Sequence, residues 1–588
     1  MCGVFGILGD QANKIHNIYS PSTSISSRGP DSFGKLIHKN LFLYHTRLAI
    51  RGNSNDAYQP CTSLKSNFIF LFNGEIYDYN SFKYSISILK SRGDVYSLSH
   101  SLSSSDPIET INSLNGMYSL AIYDKTMKKI YITRDIYGEK PLFYSLFEGN
   151  LIFSSCIQDI RKQINKFNYD KISISNYFCC SFFNEDNTPY TDIKKLLPGE
   201  TLIFKFDENK NKTTFLSKFK KKSYFNNFIN ISENTSHLTD VVDKLFNKSV
   251  RKQMVSDVNL GCMLSGGVDS SLVASVASKY NSEIITFNTG FKNKTFDESN
   301  DAKKVSKMIG VRCISKSMDE HDALDVAKSA FQNFNMPVGD LSVLPTIFTA
   351  QLAKDNGIKV LLGGDGADEL FLGYKRHWLP RIMLNKNFNL PDFILSTVNK
   401  TYNVRLKRLL NLLFDYNYTY YDYMSKTSLF KHSNICNKNS FDNVLSYIKT
   451  YDLNEYLPNM VLAKLDNSLM SNGIEGRSPY LDWNLSNYCL SRNLGETFKY
   501  TSKKYILNKV LKRYLPNYNF NKVKKGFTPP FKDWLNGNLK EFIYEGINHC
   551  LNRQILTEGL SLNESLMNDH EFLWSSSFLG HWLNYNEE

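Results

Sequence analysis

The chain has 588 residues, 42% of them hydrophobic and 22% charged, the composition of a globular protein with core enough for roughly two or three domains. Its formal net charge of +13 comes from lysine-rich surface, with one local run from Lys210 to Lys222. No basic cluster accompanies a nucleic-acid-binding module, so nucleic acid is not an expected partner, whereas anionic ATP suits this balance. No apolar run reaches membrane-spanning length, no signal peptide precedes Cys2, and ten cysteines lie without metal-ligand spacing. The expectation is a reducing cytoplasm and no membrane partner.

The chain opens Met1-Cys2-Gly3-Val4-Phe5-Gly6. Removal of Met1 in front of so small a side chain leaves one residue carrying a thiol and an α-amine. The amine titrates near ~8 and can act as base for the thiol, the logic of N-terminal nucleophile hydrolases. Residues 1 to about 160 read as β-rich, with short aromatic or β-branched runs at 68–72, 118–123 and 129–133, and turns at Asn73-Gly74, Asn115-Gly116 and Tyr137-Gly138. The serine-rich piece from Ser97 to Ser105 reads as a loop or a frayed helix end.

Three clusters in this half can do chemistry: the turn Arg28-Gly29-Pro30-Asp31, the strand end His45-Thr46-Arg47-Leu48-Ala49-Ile50, and Asn73-Gly74-Glu75-Ile76-Tyr77. An amino-acid substrate needs a cation for its carboxylate, which Arg47 can supply, and an anion for its ammonium, which Glu75, or Asp94 in Arg92-Gly93-Asp94, can supply. A thiol attacking an amide needs donors for the oxyanion, which the Asn73 side chain and Gly74 N–H can supply. Taken singly, each is more often an ordinary turn or surface feature.

Lys195-Leu196-Leu197-Pro198-Gly199-Glu200 opens another short β-like stretch, and a polar Lys/Asn-rich segment after it reads as a connection. A buried strand over 257–264 then runs into Ser265-Gly266-Gly267-Val268-Asp269-Ser270-Ser271 and a helix. Strand, glycine-rich turn and helix gather N–H groups around an anion. No Gly-Lys-Ser/Thr follows, so this is not a Walker A loop. Ser265 and Ser270 add hydroxyls, and Asp269 can hold Mg²⁺. Further strands end at Asn288-Thr289-Gly290 and at Gly363-Gly364-Asp365-Gly366-Ala367-Asp368-Glu369. In a parallel α/β sheet these turns converge at the strand C-termini, placing Asp365 and Asp368 toward phosphates; Asp368-Glu369 can equally serve as a helix N-terminus.

Residues 1 to about 155 resemble the class-II glutamine amidotransferase domain, in Met1-Cys2-Gly3-Val4-Phe5-Gly6, Arg28-Gly29-Pro30-Asp31, Arg47-Leu48, Asn73-Gly74-Glu75-Ile76-Tyr77, Asn115-Gly116-Met117-Tyr118, Arg134-Asp135 and Gly138-Glu139-Lys140-Pro141-Leu142. The Ser265–Ser271 string resembles the loop of ATP pyrophosphatases. With Leu457-Pro458-Asn459-Met460, Lys464, Gly473 to Asp482, Lys504-Tyr505-Ile506-Leu507, Lys524-Lys525-Gly526-Phe527 and Trp534-Leu535, the chain is similar nearly end to end to the glutamine-hydrolysing asparagine synthetase family.

The resemblance implies two domains. The first (2–205) would be an α-β-β-α sandwich of the N-terminal nucleophile hydrolase type. A connection (206–235) would lead to a parallel-sheet α/β ATP pyrophosphatase-type domain with a helical C-terminal part (236–588). It further implies a Cys2 thioester, an oxyanion hole from Asn73 and Gly74, and glutamine held by Arg47, Leu48, Ala49, Ile50, Arg51, Glu75 and Asp94. ATP would lie on Leu264, Ser265, Gly266, Gly267, Asp269, Ser270, Thr289, Gly363 and Gly364. Mg²⁺ would lie on Asp269 and Asp368, with Asp365 tied to the adenylate and ammonia step and Lys504 on the phosphates.

The expected reaction makes asparagine from aspartate, glutamine and ATP. The alternative acceptor is another carboxylate, such as a uronic acid of a surface polysaccharide. The partners are small molecules, and a homodimer is the candidate assembly. The chain departs from the family pattern at Tyr96, Ser155-Cys156-Ile157, Gly363, Leu372 and Asn508. Gly363, Leu372 and Asn508 fall near the acceptor site.

Overall fold

A computed structural model describes residues 2–15, 17–52, 57–78, 93–164, 166–221, 234–377, 444–492, 503–519, 527–556 and 569–587. Arg92 and Lys524-Lys525-Gly526 lie outside the described residues. In the first half the strands are β1 (Cys2–Leu8), β2 (Ser32–His38), β3 (Leu41–Arg47), β4 (Cys61–Thr62), β5 (Phe68–Ile76), β6 (Gly116–Asp124), β7 (Lys129–Arg134), β8 (Phe143–Phe147), β9 (Asn150–Ser154), β10 (Lys194–Lys195), β11 (Glu200–Asp207) and β12 (Lys212–Lys220). They form two six-stranded sheets, β10-β8-β9-β1-β3-β2 and β12-β11-β7-β6-β5-β4.

Strand alternation explains the layering. Val4 and Leu8 of β1 meet Leu71, Ile132 and Leu202 between the sheets, while Phe5 and Ile7 point to the other side. On the second sheet Phe70 and Phe72 turn outward, under Leu98 and Leu102 of the helix Asp94–Leu102 and Ile111 of the helix Pro107–Ser113. The helix Lys171–Cys180 covers the first sheet with Ile174, Tyr177 and Phe178. Both sheets are buried on two faces, so β5 reads as a continuous apolar run. The result is the expected α-β-β-α sandwich. The serine-rich piece resolves into a helix through Leu102 followed by a turn.

The expected connection over 206–235 begins too early. β11 and β12 pair antiparallel from Glu200↔Lys220 to Asp207↔Lys212, carrying the chain to Lys220 as an edge strand of the second sheet. Most of β12 is exposed, and its lysines suit an edge that must not recruit another strand.

The second half is built on β13 (Leu260–Met263), β14 (Ile285–Phe291), β15 (Cys313–Met318), β16 (Val360–Leu362) and β17 (Glu475–Arg477). They pair in parallel in the order β15-β14-β13-β16-β17. The chain steps outward from β13 through β14 to β15, then returns to the other side of β13, so a crevice opens between the ends of β13 and β16. Helices Thr235–Gln253, Val268–Tyr280 and Tyr505–Tyr514 contribute to one face through Phe246, Val273 and Leu507. Helices Val343–Asp355 and Leu462–Met470 cover the other through Ala350, Ala353, Leu465 and Leu469.

The halves share core and charge. Leu48 and Ile50 pack against Val360 and Met470. The first sheet's outer face belongs to one cluster with Phe331, Trp574 and Trp582 of the second half. Arg28 donates two hydrogen bonds to Asp466, at 2.7 and 3.2 Å, and Lys140 lies 3.6 Å from the same carboxylate. Burial alone would raise the Asp466 carboxyl, but Arg28 and Lys140 outweigh it and hold it below the ordinary range. Its folded pKa being depressed, this contribution is full above the unfolded value of about 3.9 and is lost as pH falls through the folded one. Asp466→Asn leaves Arg28 buried without its counter-charge, and we expect a lowered melting temperature at pH 7, corresponding to on the order of 3 kcal/mol. The difference from the parent should narrow in melts at progressively lower pH below 4.

Candidate active sites

Cys2 starts β1 opposite Arg47 of β3, so pairing alone brings thiol and guanidinium to one sheet end. The Cys2 backbone nitrogen donates to Asn73 Oδ1 at 2.9 Å. One hydrogen of Asn73 Nδ2 goes to Ser119 Oγ at 3.3 Å, leaving the amide a second donor. Gly74 has φ +154, and a Cβ there would stand 2.0 Å from the Met117 carbonyl oxygen, so only glycine lets β5 pass β6 this closely. Burial pushes the Cys2 thiol up; the amino-terminal charge, a Leu48 backbone hydrogen bond and Arg47 oppose it. A thiol shifted in this direction calls for a base before it can attack.

Cys2, Arg47, Leu48, Ile50, Arg51, Gly74, Glu75 and Asp94 line one cavity, closed further by Ala57, Gln59, Phe72 and Val95. Arg47 donates to the Gly52 carbonyl. The side chains of Leu48 and Ile50 also reach the core between the halves. The Ala49 N–H is bound to Asp31 Oδ2 at 2.7 Å, and Asp31 in turn to Lys359 of the second half. Glu75 and Asp94, expected to face an ammonium, face Arg51 instead: its Nη1 lies 2.8 Å from Asp94 Oδ1 and 3.4 Å from Glu75 Oε2. Sequence reasoning placed Arg51 only at the end of the carboxylate-binding strand. It also gave no role to Arg477 of β17, whose guanidinium reaches Glu75 at 3.2 Å and Glu475 at 2.6 Å.

The second candidate site lies in the crevice between β13 and β16. Leu264 is anchored by its N–H to the Phe287 carbonyl and by its own carbonyl to Asn288 Nδ2. Beyond it Ser265 and Ser270 hold the loop: their hydroxyls are 3.0 Å apart, and Ser265 Oγ accepts the Gly267 N–H at 3.2 Å. Gly266 has φ +77, and a Cβ there would meet the Asp301 backbone at 2.7 Å. Gly267 precedes the helix Val268–Tyr280 with no side-chain cap, so the first turn's N–H groups face the loop. The Thr289 hydroxyl is spent on Thr349 Oγ1 at 2.7 Å and on the Pro345 carbonyl, bracing the neighbouring helix.

The β16 loop touches this one. A Cβ on Gly364 would stand 3.0 Å from Asp269 Cβ. Lys504, in a left-handed backbone conformation, places Nζ 2.5 Å from Asp269 Oδ2 and 2.6 Å from Asp368 Oδ1. The two carboxylates expected to hold Mg²⁺ thus share one lysine. Asp269 Oδ1 is buried with no hydrogen-bond partner among the described residues. Hard oxygens with spare lone pairs fit Mg²⁺, which keeps several waters of its own.

Asp365 is half-buried and within electrostatic reach of both carboxylates. Burial raises its carboxyl, Lys464 opposes this, and Asp368 and Asp269 add to it. Lys464 is held by Asp340 at 3.3 Å and Ser342 Oγ at 3.0 Å, a setting the sequence gave no sign of. Gly363 makes room for the acid, since a Cβ there would meet Asp365 Oδ2 at 2.6 Å and Met263 Cε at 2.8 Å. Buried Leu372 sits at φ +49 after the short helix Ala367–Phe371, a conformation that favours glycine.

Residues 241–576 match the family described as asparagine synthase, and residues 1–216 match the glutamine amidotransferase domain. The chain is 27% identical over 580 residues to asparagine synthetase (glutamine-hydrolyzing) 1 of Bacillus subtilis, spanning 92% of this chain and 89% of that one. It is 30% identical over 405 residues to a putative asparagine synthetase (glutamine-hydrolyzing) 2 of Methanocaldococcus jannaschii, spanning 64% and 76%. It is 23% identical over 633 residues to the amidase chyE of Penicillium rubens, spanning 92% and 90%.

Gly363→Ser should evict the Asp365 carboxylate from its place. We expect ATP-dependent amide synthesis to fall on the order of 10²-fold, the cost of about 1 Å of misplacement, with glutamine hydrolysis unchanged. Measuring glutamate and amide product in one reaction separates the two effects.

Proposed function

The chain belongs to the asparagine synthase family, and on that premise we propose that this glutamine-dependent amidotransferase converts aspartate, glutamine and ATP into asparagine, glutamate, AMP and pyrophosphate. The observation that carries the reading is the coexistence in one fold of two distinct centres. One is a thiol at a strand end facing Asn73, Arg47 and an acidic pair. The other is an uncapped serine-glycine loop facing Asp269, Asp368, Lys504 and Asp365.

In the first centre the Cys2 α-amine, exposed once Met1 is removed, takes the thiol proton. The thiolate attacks the glutamine side-chain amide, and the Asn73 amide and Gly74 N–H stabilise the oxyanion. Ammonia leaves, and water cleaves the thioester to glutamate. Arg47 pairs with the substrate carboxylate, and the backbone from Leu48 to Arg51 forms one wall. Glu75 and Asp94 take the ammonium.

In the second centre the acceptor carboxylate attacks the α-phosphorus of ATP, giving an acyl-adenylate and pyrophosphate. The nucleotide lies along Leu264, Thr289, Gly363 and Gly364, with its pyrophosphate over Ser265 to Gly267 and Ser270. Mg²⁺ held by Asp269 and Asp368 would neutralise phosphate charge, and Lys504 takes part of the charge that develops on the phosphates. Ammonia then displaces AMP. The attacking nitrogen must shed a proton, and Asp365, its carboxyl raised by burial, is the proposed acceptor.

A second reading changes only the acceptor. Asp365 Oδ2 occupies the space that a side chain on Gly363 would need, which ties the attitude of the acid to this chain's own glycine. A relative called an amidase aligns over as much of the chain as the asparagine synthetase of Bacillus subtilis does. Pyrophosphate release with ATP, Mg²⁺ and glutamine, measured across a panel of carboxylates including aspartate and uronic acids, decides between the readings. Background rates with aspartate and turnover with another acid would replace the first by the second.

Cys2→Ala should abolish synthesis from glutamine while ammonium salts still support it, because free ammonia is what passes between the centres. Failure of ammonium to rescue a folded variant would end the two-centre scheme. Asp365→Asn should depress amide product at least about tenfold while glutamate release continues, uncoupling the half-reactions. Equal loss of both products would take Asp365 out of the proton-transfer role.

A further inference from the structure

The glutamine cavity contains two cations, Arg47 and Arg51, where a zwitterionic substrate offers only one carboxylate. The second cation has a distinct setting. Each acid of the pair has one oxygen fixed to the scaffold. Asp94 Oδ2 accepts the Ile76 N–H at 3.2 Å, and Glu75 Oε1 lies 3.2 Å from Arg477. The other oxygens, Asp94 Oδ1 and Glu75 Oε2, converge on Arg51 Nη1. All three side chains are more than nine-tenths buried. The Arg51 backbone is pinned as well, because the next residue, Gly52, gives its N–H to Asp257 at 2.9 Å and its carbonyl to Arg47.

Two buried carboxylates this close repel: burial and Asp94 push the Glu75 carboxyl up, and Arg477 and Arg51 oppose this. An incoming ammonium needs the same two oxygens. We propose that Arg51 is a displaceable internal counter-cation, which holds the acidic pair while the pocket is empty and yields that place to the α-ammonium of glutamine. This rests on reading the pocket as the glutamine site.

Arg51 is thus a positioning residue that also sets specificity. A ligand without an α-ammonium cannot replace the charge it removes, so displacing the guanidinium costs the pair its shared cation and leaves Glu75 facing Arg477 alone. The ligand-free pairing also competes with substrate, so glutamine binds more weakly than the pocket's contacts alone would allow.

The test is steady-state glutamine hydrolysis by full-length Arg51→Met, Arg51→Gln and Arg51→Lys. The neutral variants should lower KM for glutamine by about 5- to 10-fold with kcat within about twofold, and Arg51→Lys should keep the parent KM, since it keeps the cation. In a Cys2→Ala background, which binds without turnover, glutamine should raise the melting temperature more for Arg51→Gln than for the parent. That second measurement decides the matter if Arg51→Met does not fold. A KM that rises in the neutral variants would mean that Arg51 itself grips substrate. An unchanged KM with a lowered melting temperature would mean that it only props the fold. Either result overturns the proposal. Absence of any Cys2-dependent glutamine hydrolysis in the parent would instead remove the reading of the pocket on which it rests.

Discussion

One buried guanidinium joins the two halves at their most sensitive point. Arg28 is 2% exposed, yet it reaches two places at once: its Nε donates to the Cys2 carbonyl at 3.2 Å, and its Nη atoms grip Asp466. The strand that starts at Cys2 is therefore tied to a helix of the second half. Isolated surface pairs contribute little. Buried charges behave differently, because removing one partner leaves the other stranded away from water. The relative placement of the halves is thus set by charges that have nowhere else to go, and the apolar contacts of Leu48 and Ile50 with Val360 and Met470 fill in around them.

The two centres solve the same electrostatic problem in the same way. Each brings a pair of carboxylates close together and fills the gap with a basic side chain. Arg51 stands between Glu75 and Asp94, and Lys504 between Asp269 and Asp368. The chemistry asked of each pair differs. On the proposed reading the first would receive an organic ammonium, while the second has a spare oxygen, Asp269 Oδ1, suited to a small divalent ion. The basic residue in each case determines what must be exchanged before chemistry starts.

Much of this arrangement could be read from the chain. Apolar runs and turn residues read as a β-rich first half, the resemblance to the amidotransferase domain implies the sandwich, and the polar clusters at the ends of β3 and β5 supply the positions that gather around Cys2. What could not be read follows from contacts between distant segments. Arg51 follows an ordinary apolar run, and nothing local says that its side chain folds back onto β5. Arg477 belongs to a three-residue strand whose pairing with β16 depends on the whole second sheet. β12 was taken for a connection because an edge strand, largely exposed and rich in lysine, lacks the apolar signal by which strands are recognised. The attitude of Asp365 depends on the missing side chain two residues earlier, a dependence visible only in three dimensions.

Arg477 has a further consequence. Its carbonyl accepts the Gly363 N–H at 2.9 Å, at the root of the acceptor loop, while its guanidinium holds Glu75 in the glutamine pocket. One residue thus touches both sites, and its buried guanidinium is fixed further by Glu475. Sliding β17 to enlarge the acceptor crevice would drag Glu75 out of register with Asp94. Remodelling for a new acceptor is therefore confined to residues beyond the strand end, such as Gly363, Asp365 and Leu372, which can change without moving Arg477. The glutamine-hydrolysing half acts as a mechanical anchor against which the synthetic half can diversify, loop by loop.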